Sequence, residues 1–170
     1  MKAIHNGVEK IEPAIILPYG DILVWCLMPN HFHMMLFVNT VSVALSDADD
    51  KNRSLNDSIE IMLRSYTNAI NKQQNRTGKL FREATKAECI NCPDNIEPSF
   101  ITKSGITQIN IIQPEKQYPK ICFDYIHHNP TKAKLVKQNT DWEFSSALDY
   151  ANIQNGKLIN KIKAMEYNLV

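Results

Sequence analysis

The chain has 170 residues, 44% of them hydrophobic and 22% charged, with a formal net charge of +1. That is enough for one sizeable core, and the balance is that of an ordinary globular protein. It excludes a strongly basic nucleic-acid coat, a bilayer-spanning run of ~18 to 20 apolar residues, and a cysteine-dense scaffold, because only four cysteines are present.

Any phosphate contact must therefore come from local clusters of charge. The start of the chain lacks a basic-apolar-small signal pattern, so the expected location is cytoplasmic, with no membrane partner. Residues 1–13 show no usable periodicity. Residues 14–19 are a short apolar patch, interrupted by Pro18 and closed by Gly20, that reads as a helix tail or an entry loop into a strand over 21–27.

The stretch over 24–38 predicts a hairpin: two apolar strands joined at Met28-Pro29-Asn30, where Pro and Asn supply the turn. His31 and His33 follow, two residues apart. In a strand, residues i and i+2 point to the same face, so both imidazoles project from one side and Phe32 from the other. Two neutral imidazoles side by side are half of a divalent-metal site, needing one or two further ligands. A single strand histidine is usually a satisfied core or surface residue, but burying two together costs solvation unless something binds them.

Residues 39–52 lose the pattern and predict a surface loop. Its Asp47, Asp49 and Asp50 lack the glycine and spacing of a calcium loop and read as solvated charge. Ser54 then predicts an N-cap with Asp57 in the first turn. Leu55, Ile59, Met62, Leu63, Tyr66, Ala69 and Ile70 recur at three and four, predicting an amphipathic helix to about residue 72 or 73. Arg64, Lys72, Arg76 and Lys79 on its other face and exit form a candidate phosphate-facing edge, or a solvated face.

Residues 79–87 fit a strand or extended segment. Residues 88–117 read as an insertion with a short strand at 107–112. Cys89 and Cys92 make a Cys-x-x-Cys inside it, and a zinc site would have to recruit Cys122 and His127 from outside. Pro119 predicts the start of a helix, with Ile121, Cys122 and Ile126 as core contacts. Tyr125 and Asn129, four apart, share a face if the helix persists; alternatively, Asn129-Pro130 caps a new short helix. Residues 131–136 predict a short basic helix with Lys132 and Lys134. Trp142 and Phe144 read as an anchor for the C-terminal segment, Asn155-Gly156 as a turn, and 157–169 as holding a last short helix, basic through Lys157, Lys161 and Lys163.

A phenol, two imidazoles and an amide oxygen form one toolkit: a divalent ion to polarise a phosphodiester and a tyrosine to attack it. The commoner role of a tyrosine at such a position is amphipathic packing. The motif His31-Phe32-His33, preceded by Cys26-Leu27-Met28-Pro29-Asn30, resembles the histidine-hydrophobic-histidine signature of the HUH single-tyrosine transposases. Tyr125-Ile126-His127-His128-Asn129-Pro130 resembles the tyrosine motif of the subgroup associated with repetitive extragenic palindromes, whose insertion-sequence relatives carry glutamine in place of Asn129. The segments Gly78-Lys79-Leu80-Phe81-Arg82 and Trp142-Glu143-Phe144-Ser145-Ser146 also resemble that subgroup, so the likeness extends over about residues 17–150.

The resemblance implies an α+β, ferredoxin-like antiparallel sheet with helices on one face. It implies cleavage of single-stranded DNA at hairpins or palindromes through a 5′-phosphotyrosine link, with Mg2+ or Mn2+. Tyr125 would be the nucleophile and His31, His33 and Asn129 the metal ligands, while His127 and His128 would be packing or DNA-facing residues. The whole chain reads as a single HUH-like domain with an insertion at about 88–117 and a basic segment at about 151–170.

The chain departs from the family before Leu17, where it starts too late for the family's first strand and fuller helix. That strand would pair with the histidine strand, so the expected consequence is an open edge. Residues 1–13 fill the gap, a second copy fills it by dimerisation or strand exchange, or the protein is a truncated relative that binds DNA hairpins without cutting.

Overall fold

The computed structural model describes residues 15–45, 51–81, 87–90 and 114–170. The expected extended segment from 82 to 86, the strand at 107–112, the aspartates at 47, 49 and 50 and most of the 88–117 insertion lie outside them. The described residues form a mixed α+β structure of two small antiparallel sheets and four α-helices. The strands are β1 (Gly20–Leu27), β2 (Phe32–Val38), β3 (Ser42–Ala44) and β4 (Asn52–Ser54). The helices are α1 (Leu55–Gln73), α2 (Pro114–Lys132), α3 (Ala147–Tyr150) and α4 (Lys161–Glu166). No helix among them is long and apolar enough to cross a membrane.

The predicted hairpin is present. β1 and β2 pair antiparallel from Gly20↔Val38 to Leu27↔Phe32, and the Met28 N–H closes the turn on the His31 carbonyl at 2.8 Å. The register slips between Ile22 and Val24, leaving Leu23 as the extra residue of a bulge. The hydroxyl of Tyr150 takes up the Leu23 carbonyl at 2.5 Å, so this irregularity is tied to α3.

A β2 that is apolar at nearly every position needs cover on both faces. Phe32, Met34 and Leu36 pair across the ladder with Leu27, Trp25 and Ile22, and this face packs against Met62, Ile59 and Leu63 of α1. Met35 pairs with Val24 and His33 with Cys26; this other face meets Phe123 and Ile126 of α2. The expectation of helices on one face is thereby corrected: α1 and α2 sandwich the hairpin, because the alternation along β2 is apolar against apolar.

The C-terminal segment seals the far edge of β1. Leu27 N–H donates to the Phe144 carbonyl at 2.8 Å, Ser146 N–H to the Trp25 carbonyl at 3.0 Å, and Asn160 N–H to the Ile22 carbonyl at 2.9 Å. Trp142, buried, donates its indole N–H to the Leu27 carbonyl at 3.0 Å, which makes it the anchor expected from the sequence. With β1 bordered on both sides, β2 is the outer strand and has one partner strand among the described residues.

α1 begins as predicted. Ser54 Oγ accepts the Asp57 N–H at 3.1 Å, and Asp57 Oδ2 accepts the Ser54 N–H at 3.0 Å, a reciprocal capping box. The buried residues Ser58, Met62, Tyr66 and Ile70 recur every fourth position and place the helix. Substituting Ser54→Ala is expected to lower stability by about 1 kcal/mol, measured as a shift in the urea midpoint with an unchanged slope.

Several boundaries differ from the sequence expectation. The expected 39–52 loop gives way to a three-residue ladder, β3 within it and β4 from its last residue to Ser54, too short and too exposed to leave a periodic signature. α2 opens one proline earlier than expected, at Pro114, and runs through both Pro119 and Pro130. No new helix begins at Asn129-Pro130: Pro130 sits in the last turn, fully buried, and the ladder continues with Ala133 N–H on the Asn129 carbonyl at 2.9 Å. The expected basic helix over 131–136 is absent, because the chain leaves α2 after Lys132 and Lys134 takes a left-handed backbone, φ 57°.

Candidate metal centre and tyrosine

The hairpin turn delivers the two histidines side by side, with ring centroids 5.0 Å apart and planes at 83°. Phe32 lies on the other face, against Phe81 at 6.0 Å, as strand alternation requires. Across the cleft, α2 presents Tyr125, whose ring stands edge-on to His33 at a centroid distance of 5.6 Å. The residues expected from opposite parts of the chain, His31, His33 and Tyr125, are brought together in one cleft of about 830 Å³.

Burial lowers the pKa of both imidazoles. That of His33 falls to about 4, with His31 as a second, electrostatic cause, and that of His31 falls for the same reason of desolvation. Both rings are therefore neutral at pH 7, with a lone pair free on each. Lys132, two turns beyond Tyr125 on α2, holds its ammonium 5.3 Å from the Tyr125 ring centroid. The phenol ring thus has both an imidazole and a cation as neighbours.

Asn129 is placed differently. It is buried on the same stripe of α2 as Tyr125, but its amide nitrogen points back to the Tyr125 carbonyl at 3.4 Å, and it is not among the residues lining the cleft. Of the other candidate DNA contacts, Arg64 is paired with Glu60 on the exposed surface of α1. Arg76 reaches the Lys79 carbonyl at 3.5 Å. Neither these residues nor Lys72 or Lys134 line the cleft.

The cleft also holds residues the sequence reading did not single out for it. Tyr118, Cys122 and Tyr125 follow one another at spacings of four and three, the helical stripe that could have flagged them. The Tyr118 hydroxyl is pushed up to about 12 by burial, with Cys122 and the Glu88 carboxylate adding to it. Glu88 faces the same space. The zinc alternative is not assembled: Cys89 is in a disulfide, Cys122 is a free thiol in the cleft, and His127 is turned into the core. Among the described residues no group of three or more His, Cys, Asp and Glu side chains could hold a metal ion.

The donor set fits half of a divalent site. Two neutral imidazoles suit a first-row divalent ion, and its remaining positions would fall to oxygen from an amide, water or phosphate. His127 has the packing role expected of it, with Nε2 2.9 Å from Ser146 Oγ and its ring edge-on to Phe123.

Burial also brings the His127 pKa down to about 4. The unfolded chain takes up a proton near pH 6.5 while the fold resists until about pH 4, so stability is complete above pH 6.5 and is lost as pH falls through that window. For His127 the loss is on the order of 3 kcal/mol; His33 adds to it in the same direction. Urea unfolding at pH 7 and pH 4.5 should show this fall, and His127→Gln should reduce it to the part that His33 supplies.

A scan of protein-family models matches nothing in this chain, and searches of curated proteins and of solved structures find no significant relative.

Proposed function

We propose that this chain is a metal-dependent DNA strand transferase that nicks and rejoins single-stranded DNA at hairpin or palindromic sequences, in the manner of the HUH single-tyrosine transposases it resembles. The observation that carries this reading is the meeting of His31, His33 and Tyr125, from a hairpin and a helix far apart in sequence, in one cleft. A phenol beside two neutral imidazoles is the grouping that a tyrosine-nucleophile phosphodiester reaction needs.

In this reading Tyr125 Oη attacks the scissile phosphorus. The bond between phosphorus and the 3′-oxygen breaks, the 5′-phosphate becomes linked to tyrosine, and the 3′-oxygen leaves as a hydroxyl after taking a proton from water; the phenol proton passes to water. His31 and His33 would hold Mg2+ or Mn2+, with the Asn129 amide oxygen as third ligand once its side chain turns from the Tyr125 carbonyl. The ion would supply Lewis-acid polarisation of the phosphodiester. Lys132 has no carboxylate partner among the described residues and would meet the phosphate charge beside the phenol. The architecture we assign is ferredoxin-like in its sheet, with a further strand, from this chain or a second copy, adding along β2.

A second reading, a hairpin-binding protein that does not cut, is favoured by the inward turn of Asn129 and its absence from the cleft lining. A labelled single-stranded hairpin incubated with protein and Mn2+ separates the two. A covalent adduct that survives denaturation supports cleavage; binding with no adduct supports the second reading, and neither binding nor adduct refutes both. His31→Ala is expected to remove the adduct while hairpin affinity changes less than about threefold, because phosphate contacts dominate binding. An undiminished adduct in that variant would remove the metal assignment.

A further inference from the structure

Asn30 is a turn residue by its place after Pro29, and its side chain does something more. Asn30 Oδ1 lies 2.6 Å from His31 Nδ1. A carboxamide oxygen only accepts hydrogen bonds, so the proton of this contact belongs to Nδ1. In a neutral imidazole the lone pair is then on Nε2. The backbone around the pair is fixed, with Pro29 restricting the turn and Met28 N–H held on the His31 carbonyl at 2.8 Å. Asn30, His31 and His33 all line the same cleft.

We propose that Asn30 is a positioning residue for a divalent cation: by accepting the Nδ1 proton it fixes the tautomer and rotation of His31, so that Nε2 is the atom offered to the ion. This rests on the metal reading given above. Metal-bound histidines commonly donate their other ring N–H to an oxygen acceptor, which orients the ring and raises its basicity. Here that acceptor comes from the residue next door in the turn, so the ring is oriented before any ion arrives.

Two measurements on the metal-free and metal-loaded protein, neither needing DNA, test this. Long-range proton–nitrogen NMR of the His31 ring should show the Nδ1–H tautomer in the wild type and in Asn30→Asp, which keeps the acceptor. Asn30→Ala should show a mixture or the opposite tautomer. Mn2+ titration followed by electron paramagnetic resonance should give a Kd raised about 10- to 100-fold in Asn30→Ala, and at or below the wild-type value in Asn30→Asp. An unchanged tautomer and unchanged Kd in Asn30→Ala would overturn the proposal, as would an Nε2–H tautomer in the wild type. A wild type that shows the Nδ1–H tautomer but binds no Mn2+ would overturn the metal reading, and with it the role assigned to Asn30, while leaving the hydrogen bond itself established.

Discussion

Tyr125→Phe is expected to eliminate the covalent protein–DNA adduct, with a fall of about 10⁴-fold or more in the rate of strand cleavage. The substitution removes one oxygen and keeps the ring, so its edge contact with His33 and the Lys132 ammonium above it both survive. The variant should stay folded, checked by urea unfolding, and hairpin binding should persist. Loss of chemistry can then be read as loss of a nucleophile. The control is Tyr118→Phe. Tyr118 lies in the same cleft two turns earlier on α2, but burial pushes its hydroxyl up to about 12, which disfavours its phenolate at neutral pH. Tyr118→Phe should keep the adduct. An adduct that persists in Tyr125→Phe and disappears in Tyr118→Phe would move the nucleophile along the helix and overturn the assignment of Tyr125.

What could be read in the sequence was local chemistry. Met28-Pro29-Asn30 between apolar runs announces a hairpin, Ser54 with Asp57 announces a capped helix, and a histidine pair at i and i+2 announces a shared face. The contact of His33 with Tyr125 has no local signature, because nothing in the neighbouring residues links positions so far apart; only the likeness to a family points to it. The two-faced packing of β2 was in principle legible, since Phe32, Met34 and Leu36 on one side and Met35 and Phe37 on the other are all apolar.

Other features carried no such signal. β3 and β4 are three residues each, with no room for a period. Pro130 reads as a breaker because it has no N–H to offer the Ile126 carbonyl one turn back, but the φ that proline imposes is helical, and the helix runs two residues beyond it. The seal along β1 is made by backbone groups of residues 144, 146 and 160, and backbone hydrogen bonds have no residue-type signature. Asn129 shows the limit within the site: the four-residue spacing put it on the face of Tyr125, but not which way its amide turns.

That seal is also where the fold should be most sensitive. Trp142→Ala is expected to cost about 3 to 5 kcal/mol, a large share of the total for a domain of this size. Trp142 is 6% exposed, stands edge-on to Phe144 at 5.5 Å, and supplies the indole N–H that satisfies the Leu27 carbonyl. Truncation leaves a cavity and an orphaned carbonyl at the last residue of β1, directly before the turn that carries His31. Trp142→Phe separates the two effects: bulk is largely kept and the hydrogen bond alone is lost, for about 1 to 2 kcal/mol. Trp25→Phe is the reference, because the Trp25 indole N–H is buried with no hydrogen-bond partner among the described residues, and removing it should change stability by less than about 0.5 kcal/mol or raise it. Urea unfolding of the three variants should therefore rank Trp142→Ala far below Trp142→Phe, and Trp142→Phe below Trp25→Phe. Equal losses in the two phenylalanine variants would mean that the Trp142–Leu27 bond does not hold the C-terminal segment to the hairpin, and that the histidines are steadied by the turn alone.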